Sequence, residues 1–114
     1  MVVEYLEIVT NDVDAVTALY QRIHVLSFGP SGPDLGHARV ATRVDGTLVG
    51  IRKSLAAHEQ PIIRTYLTVE DIQQAVNKAE DSGATIASPP TGQGTRGTFA
   101  IPIHGDVEHG LWHR

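Results

Sequence analysis

Val9-Thr10-Asn11-Asp12-Val13-Asp14-Ala15 and Val69-Glu70-Asp71-Ile72-Gln73-Gln74-Ala75-Val76 are the two stretches on which the fold turns. Each closes a strand-like run, supplies an aspartate and opens a helix-like run. Aspartate suits that junction because its short carboxylate accepts a backbone N–H that the first helical turn leaves unpaired. The two aspartates lie 59 positions apart, and a second pair of landmarks, Gly50-Ile51 and Gly110-Leu111, lies 60 apart. Two landmarks at nearly one offset, within one order of elements, point to an internal duplication.

Working outward from the first cap, Tyr5-Leu6-Glu7-Ile8-Val9 alternates like a strand. Val13, Val16, Tyr20 and Ile23 share one face of a helix fading near His24. Val25 to Phe28 reads as a short strand and Gly29 to Pro33 as a loop. Ala38–Val44 and Thr47–Lys53 form two strands joined through Asp45-Gly46, a dipeptide that tolerates the positive φ of a hairpin turn. Ser54–Pro61 crosses to the second half. There Ile62–Val69 is a strand, and Asp71 with Gln74 makes a capping box. Ile72, Ala75, Val76 and Ala79 form a buried stripe, and Gly83 ends the helix. Ala84–Ala87 is a short strand and Ser88–Gly97 a glycine-rich connection, with a lid carrying Arg96 inward as the alternative. Thr98–Ile103 and Glu108–His113 close the chain, turned at His104-Gly105-Asp106. The expected organisation is α+β: one domain over 1–114, made of βαβββ modules at 1–56 and 61–114.

Composition narrows the function. A hydrophobic content of 41% over 114 residues supports a core, so disorder is excluded. There is no cysteine, which removes disulfides and thiolate metal sites. The net charge is −4 and the basic residues are scattered, so nucleic acid is not an expected partner. No apolar stretch approaches the roughly 20 residues of a membrane span. The N-terminus lacks the pattern of a signal peptide, and the expected location is cytoplasmic.

Two βαβββ units, each opening with strand, Asp, aliphatic residue and a following Ala, resemble the vicinal oxygen chelate superfamily, the group of glyoxalases, bleomycin-resistance proteins and extradiol dioxygenases. Ala79 to Gly83 and the terminal Gly110-Leu111-Trp112 extend the resemblance over the whole chain. It implies a mixed sheet curled into an open cup, helices on the outer face and a ligand inside. Strand periodicity then sorts side chains. Leu6, Ile8, Leu67 and Val69 face the helices, while Tyr5, Glu7, Arg52, Arg64, Tyr66, Glu108 and Trp112 face the cup.

Metal-dependent members of that superfamily place His or Glu at four cup positions, which here align with Tyr5, Gly50, Arg64 and Gly110. Glycine brings no side chain and a guanidinium no lone pair. No metal and no other cofactor is therefore expected. The ligand-binding set is Tyr5, Glu7, Arg52, Arg64, Tyr66, Glu108 and Trp112, with aromatics stacking on a small aromatic or anionic molecule and arginines meeting its charge. In the competing structural role, Glu7 and Glu108 pair with Arg64 and Arg52 and bind nothing. The expected function is sequestering or sensing a small molecule, not catalysis. The alternatives are a metal-free enzyme with Glu7 as base and Arg64 as anion stabiliser, or a metal-dependent lyase or dioxygenase with displaced ligands. The six histidines read as surface or packing residues, His104 at the cup rim being the best placed to meet a ligand. The resemblance implies a homodimer.

Overall fold

A computed structural model describes residues 1–114. The chain is α+β, with strands β1 (Val3–Val9), β2 (Arg39–Thr42), β3 (Leu48–Arg52), β4 (Ile62–Thr68), β5 (Thr85–Gly92), β6 (Thr98–His104), β7 (Val107–Glu108) and β8 (Gly110–His113). Helix α1 spans Val13–His24 and helix α2 Ile72–Asp81. The chain divides into two compact units, Tyr5–Ile63 and Arg64–Arg114, the latter joined by Met1–Glu4.

In the first unit β3 lies between β1 and β2, parallel to β1 and antiparallel to β2. Asp12 caps α1, its Oδ1 accepting from the Ala15 amide at 3.4 Å. Ile8, Ala41, Val49 and Ile51 form the buried strand side of the core, and Phe28 joins them. Val13, Val16 and Tyr20 pack on these from α1. Fully burying an aliphatic side chain of this kind contributes about 1.5–3 kcal/mol. Ile23 departs from the expected stripe: it is 59% exposed, and the polar Thr17 is buried in the helix instead. The expected strand at Val25–Phe28 is also absent. Val25 ends α1 in the left-handed region at φ 50°, and the chain then turns inward to bury Phe28, whose amide meets Gln21 Oε1 at 3.4 Å. The first half is thus βαββ.

In the second unit the strand order is β4-β8-β6-β5, with β7 paired to β6. β4 and β8 are parallel, whereas β6 runs antiparallel to β5, β7 and β8. The Asp71 cap on α2 is tighter, with Oδ1 accepting from the Gln74 amide at 2.9 Å. Ile72 and Val76 are buried against Ala100, with Val69, Ile86 and Leu111 beside them. Gly83, at φ 96°, follows the helix where a side chain would be strained. The expected strand Glu108–His113 is broken at His109 into β7 and β8.

Ser88–Gly97 is not the connection expected from its glycines and prolines. β5 continues through Pro89 and Pro90 to Gly92, and only Gly94–Arg96 forms a short 3-10 turn. β5 is a sheet edge with register shifts between Ile86 and Thr91. An edge strand tolerates prolines because its outward N–H groups have no ladder partner to lose.

Candidate functional site

On the strand face of the first unit, Tyr5, Glu7 and Arg52 are all buried. Glu7 pairs with Gly50 in the ladder and Arg52 lies across from Val9, which brings the two charged side chains together. Arg52 Nε donates to Glu7 Oε2 at 2.9 Å. Its two terminal nitrogens donate to both carboxylate oxygens of Glu59, at 2.9 and 2.8 Å. Glu59 lies in the segment expected to be a plain crossing, and nothing in its local sequence marks it as a partner of a strand arginine. It also accepts from the Leu55 amide at 2.8 Å, so the carboxylate shapes the loop that carries it. Burial pulls the Arg52 pKa down, but the bonds and charges of Glu59 and Glu7 outweigh it and hold the group above its ordinary value.

The second unit has the corresponding face on β4 and β8, where Tyr66 pairs with Gly110 and Thr68 with Trp112. Arg64 is buried, and its Nη2 donates to Glu108 Oε1 at 2.8 Å. The Glu108 side chain is 31% exposed, so this pair has one open side. Arg64 Nη1 lies 3.5 Å from the Tyr66 hydroxyl. Tyr66 meets Trp112 edge-on at a centroid distance of 5.6 Å, and Phe99 lies against both rings. The indole N–H of Trp112 donates to the Arg96 carbonyl at 2.9 Å. Phe99 and the Arg96 backbone therefore belong with the expected residues; the alternation of β6 could have signalled Phe99, which pairs with Trp112.

The competing ion-pair role had paired the charges as Glu7 with Arg64 and Glu108 with Arg52. The pairs found are Glu7 with Arg52 and Glu108 with Arg64. The reason is local: Glu7 and Arg52 lie two positions apart on neighbouring parallel strands, and Glu108, on β7, stands two residues before the Gly110 that pairs with Tyr66, as Arg64 stands two before Tyr66.

The residues at the metal-ligand positions do not fit an ion. A methyl group added at Gly50 would stand 2.7 Å from ring atoms of Tyr5, so the tyrosine occupies the space a ligand side chain would need. The same addition at Gly110 would meet the Tyr66 ring at 2.6 Å and the Thr65 carbonyl at 2.5 Å. No three His, Asp or Glu side chains gather where they could share an ion. His104 Nε2 donates to the Ser82 carbonyl at 3.0 Å, and His113 Nδ1 lies 3.1 Å from the Val69 carbonyl.

No family model matches the chain, and no curated protein matches it. Solved structures do. Hypothetical protein BH1468 from Bacillus halodurans C-125 aligns at TM-score 0.71 and 12% identity, over 99% of this chain and 94% of that one. A methylmalonyl-CoA epimerase from Mycobacterium tuberculosis aligns at TM-score 0.69 and 12% identity, over 97% and 86% of the two chains. A Streptomyces coelicolor methylmalonyl-CoA epimerase variant in complex with 2-nitronate-propionyl-CoA gives 0.65 and 14%, over 97% and 95%. The likeness is one of fold, and the fold is of the vicinal oxygen chelate type.

Proposed function

We propose that this chain is a metal-independent member of the vicinal oxygen chelate superfamily that binds a small aromatic or anionic molecule on the strand faces just described. The observation that carries the proposal is the Arg64–Glu108 pair. A buried guanidinium sits beside an aromatic cluster, and its carboxylate partner is open to solvent on one side. An incoming carboxylate or phosphate can take the place of Glu108 on Arg64 without leaving the cation unpaired. Tyr66 and Trp112, buried against each other and Phe99, give the guanidinium an apolar backing. In the first unit, Tyr5, Glu7 and Arg52 offer the corresponding face, although there Arg52 is already engaged by two carboxylates.

Binding is preferred over turnover because Glu7, the best general-base candidate, has one oxygen on Arg52 at 2.9 Å and is buried. Tyrosine, arginine and glycine at the four ligand positions support metal independence by their chemistry, since none offers an ordinary ligand for a divalent ion. That structural neighbours include epimerases does not assign this chain a substrate.

Native mass spectrometry of freshly purified, tag-free protein tests the proposal. A homodimer without stoichiometric metal, carrying an organic adduct that Arg64→Ala no longer retains while staying folded, is the expected result. A stoichiometric divalent ion would overturn metal independence. An Arg64→Ala protein that keeps the adduct would remove Arg64 from the site.

A further inference from the structure

We infer that the second unit carries another binding site, on the helix side of its sheet, for an amphipathic organic anion with an apolar body and a single carboxylate head. This goes beyond the function proposed above and lies mainly on the helix side of the sheet, sharing only Glu108 with that site. Its test reads α2 and His109 and leaves Arg64 untouched, so the failure of one is distinguishable from the failure of the other.

A hollow of about 480 Å³ lies between α2 and strands β4, β6 and β8. That is within the range of about 300–1,000 Å³ typical of small-molecule pockets. Leu67, Ala75, Ala79, Pro102 and Leu111 give it an apolar floor. Lys78, His104 and His109 add a cationic group and two protonatable ones to its wall. Glu108 also reaches it, but that carboxylate is bound to Arg64 Nη2 at 2.8 Å and its charge is matched. Lys78 forms no ion pair with any acidic residue. The wall thus offers unmatched positive charge above an apolar base, which is complementary to an amphipathic anion.

The internal duplication supplies the control. Four and eight positions after its cap, α1 carries Val16 and Tyr20, where α2 carries Ala75 and Ala79. In mid-strand, β1 has Leu6 where β4 has Thr65, and before the glycine of the closing strand Val49 stands in place of His109. Every one of these exchanges makes the second unit smaller or more polar. The first unit keeps a smaller gap of about 290 Å³, against Leu6, Tyr20, Leu26 and Val49; His24 and Arg43 also line it, but there the arginine is already paired with Asp45 at 3.5 Å. One helix-on-sheet layout leaves a smaller gap in the first unit and a larger hollow in the second. A hollow left by truncation alone would be lined by apolar stumps and would carry a stability cost; here the truncations come with lysine and histidine at the wall.

The test is an NMR titration of the full chain with decanoate, followed at backbone amides. The expected result is saturable shifts in the last two turns of α2 and around His109, with none around Tyr20. Ala79→Tyr, which installs the first unit's residue, should weaken binding at least about tenfold while the spectrum stays folded; about tenfold corresponds to 1.4 kcal/mol. Lys78→Gln should weaken it roughly threefold to tenfold. If Ala79→Tyr fails to fold, Ala75→Val makes the same test. Undiminished binding to the filled variants would overturn the site. Equal affinity for neutral decanol would overturn the anionic class. Shifts absent altogether, with an assembly mass that falls on Ala79→Tyr, would mean that a second copy of the chain covers the hollow, and would also overturn the proposal.

Discussion

The two units solve the same packing problem with their chemistry placed in opposite order. Going along the first opening strand, the aromatic Tyr5 comes before the charged Glu7; along the equivalent strand of the second unit, the charged Arg64 comes before the aromatic Tyr66. The closing strands repeat the inversion, with Arg52 at the place of Trp112 and Leu48 at the place of Glu108. In the first unit the charge layer is a closed clamp of one arginine and two glutamates; in the second it is one pair with an open side. On the helix side the contrast runs the same way, a gap of about 290 Å³ in the first unit against about 480 Å³ in the second. With a similar order of elements in each, side-chain volume and charge separate the tighter unit from the one with more room.

That contrast can be broken in several places. The largest effect is expected from Gly110→Ala, where a new methyl meets the Thr65 carbonyl and the backbone must yield. It should cost about 3 kcal/mol or more. At Gly50→Ala the three nearest atoms all belong to the Tyr5 side chain, its hydroxyl first, and none to the backbone, so the cost should be lower. Urea unfolding of both variants measures this, and equal costs would mean the two tyrosine-over-glycine contacts are equivalent. Next is the clamp: Glu59→Gln leaves Arg52 with one carboxylate and should cost about 2–3 kcal/mol, below the 3–5 typical of a fully buried pair because the Glu59 side chain is 21% exposed. Glu108→Gln, on the open pair, should cost about 1 kcal/mol. A larger loss for Glu108 than for Glu59 would reverse the closed-against-open distinction.

Tyr20→Ala converts the first unit's helix contact into that of the second, and a half-buried tyrosine should cost about 2 kcal/mol. The reciprocal Ala79→Tyr should change stability by under about 1 kcal/mol, since the room exists. A calorimetric Tm that falls as far for Ala79→Tyr as for Tyr20→Ala would show that the hollow cannot be filled. The smallest effect lies at the caps. Asp71→Ala, losing a 2.9 Å bond, should cost about 1 kcal/mol, and Asp12→Ala, losing one of 3.4 Å, about half of that. Equal Tm losses would show that the difference in bond length carries no energetic weight.

Much of the fold was legible because its signals are local. Aspartate caps, the stripe Ile72-Ala75-Val76-Ala79 and the alternation of β1 and β4 each depend on a few neighbouring residues; both helices and β4 begin where those residues say, and β1 begins two residues earlier, at Val3. The errors came where tertiary context wins. Ile23 fits the helical period but lies exposed at the end of α1. Val25 has strand chemistry yet takes a left-handed turn so that Phe28 can be buried. Proline and glycine in Ser88–Gly97 suggested a loop, and an edge strand accommodates them instead. For the candidate site, strand period two sorted Tyr5, Glu7, Arg64 and Tyr66 onto one type of face, but which charges meet depends on ladder register, and Glu59 arrives from a loop no period describes. The hollow was written in Ala75 and Ala79, yet it becomes visible only when each is set beside Val16 and Tyr20.

The prolines of β5 bear on how the protein keeps its own company. A bare sheet edge is an invitation to another chain, which can add a strand and, repeated, build a fibre. Pro89 and Pro90 carry no amide hydrogen to offer a ladder, and the register shifts around them spoil the regular spacing an incoming strand would need. Copies of this chain that associate in a crowded solution are therefore steered to meet by some surface other than the β5 edge.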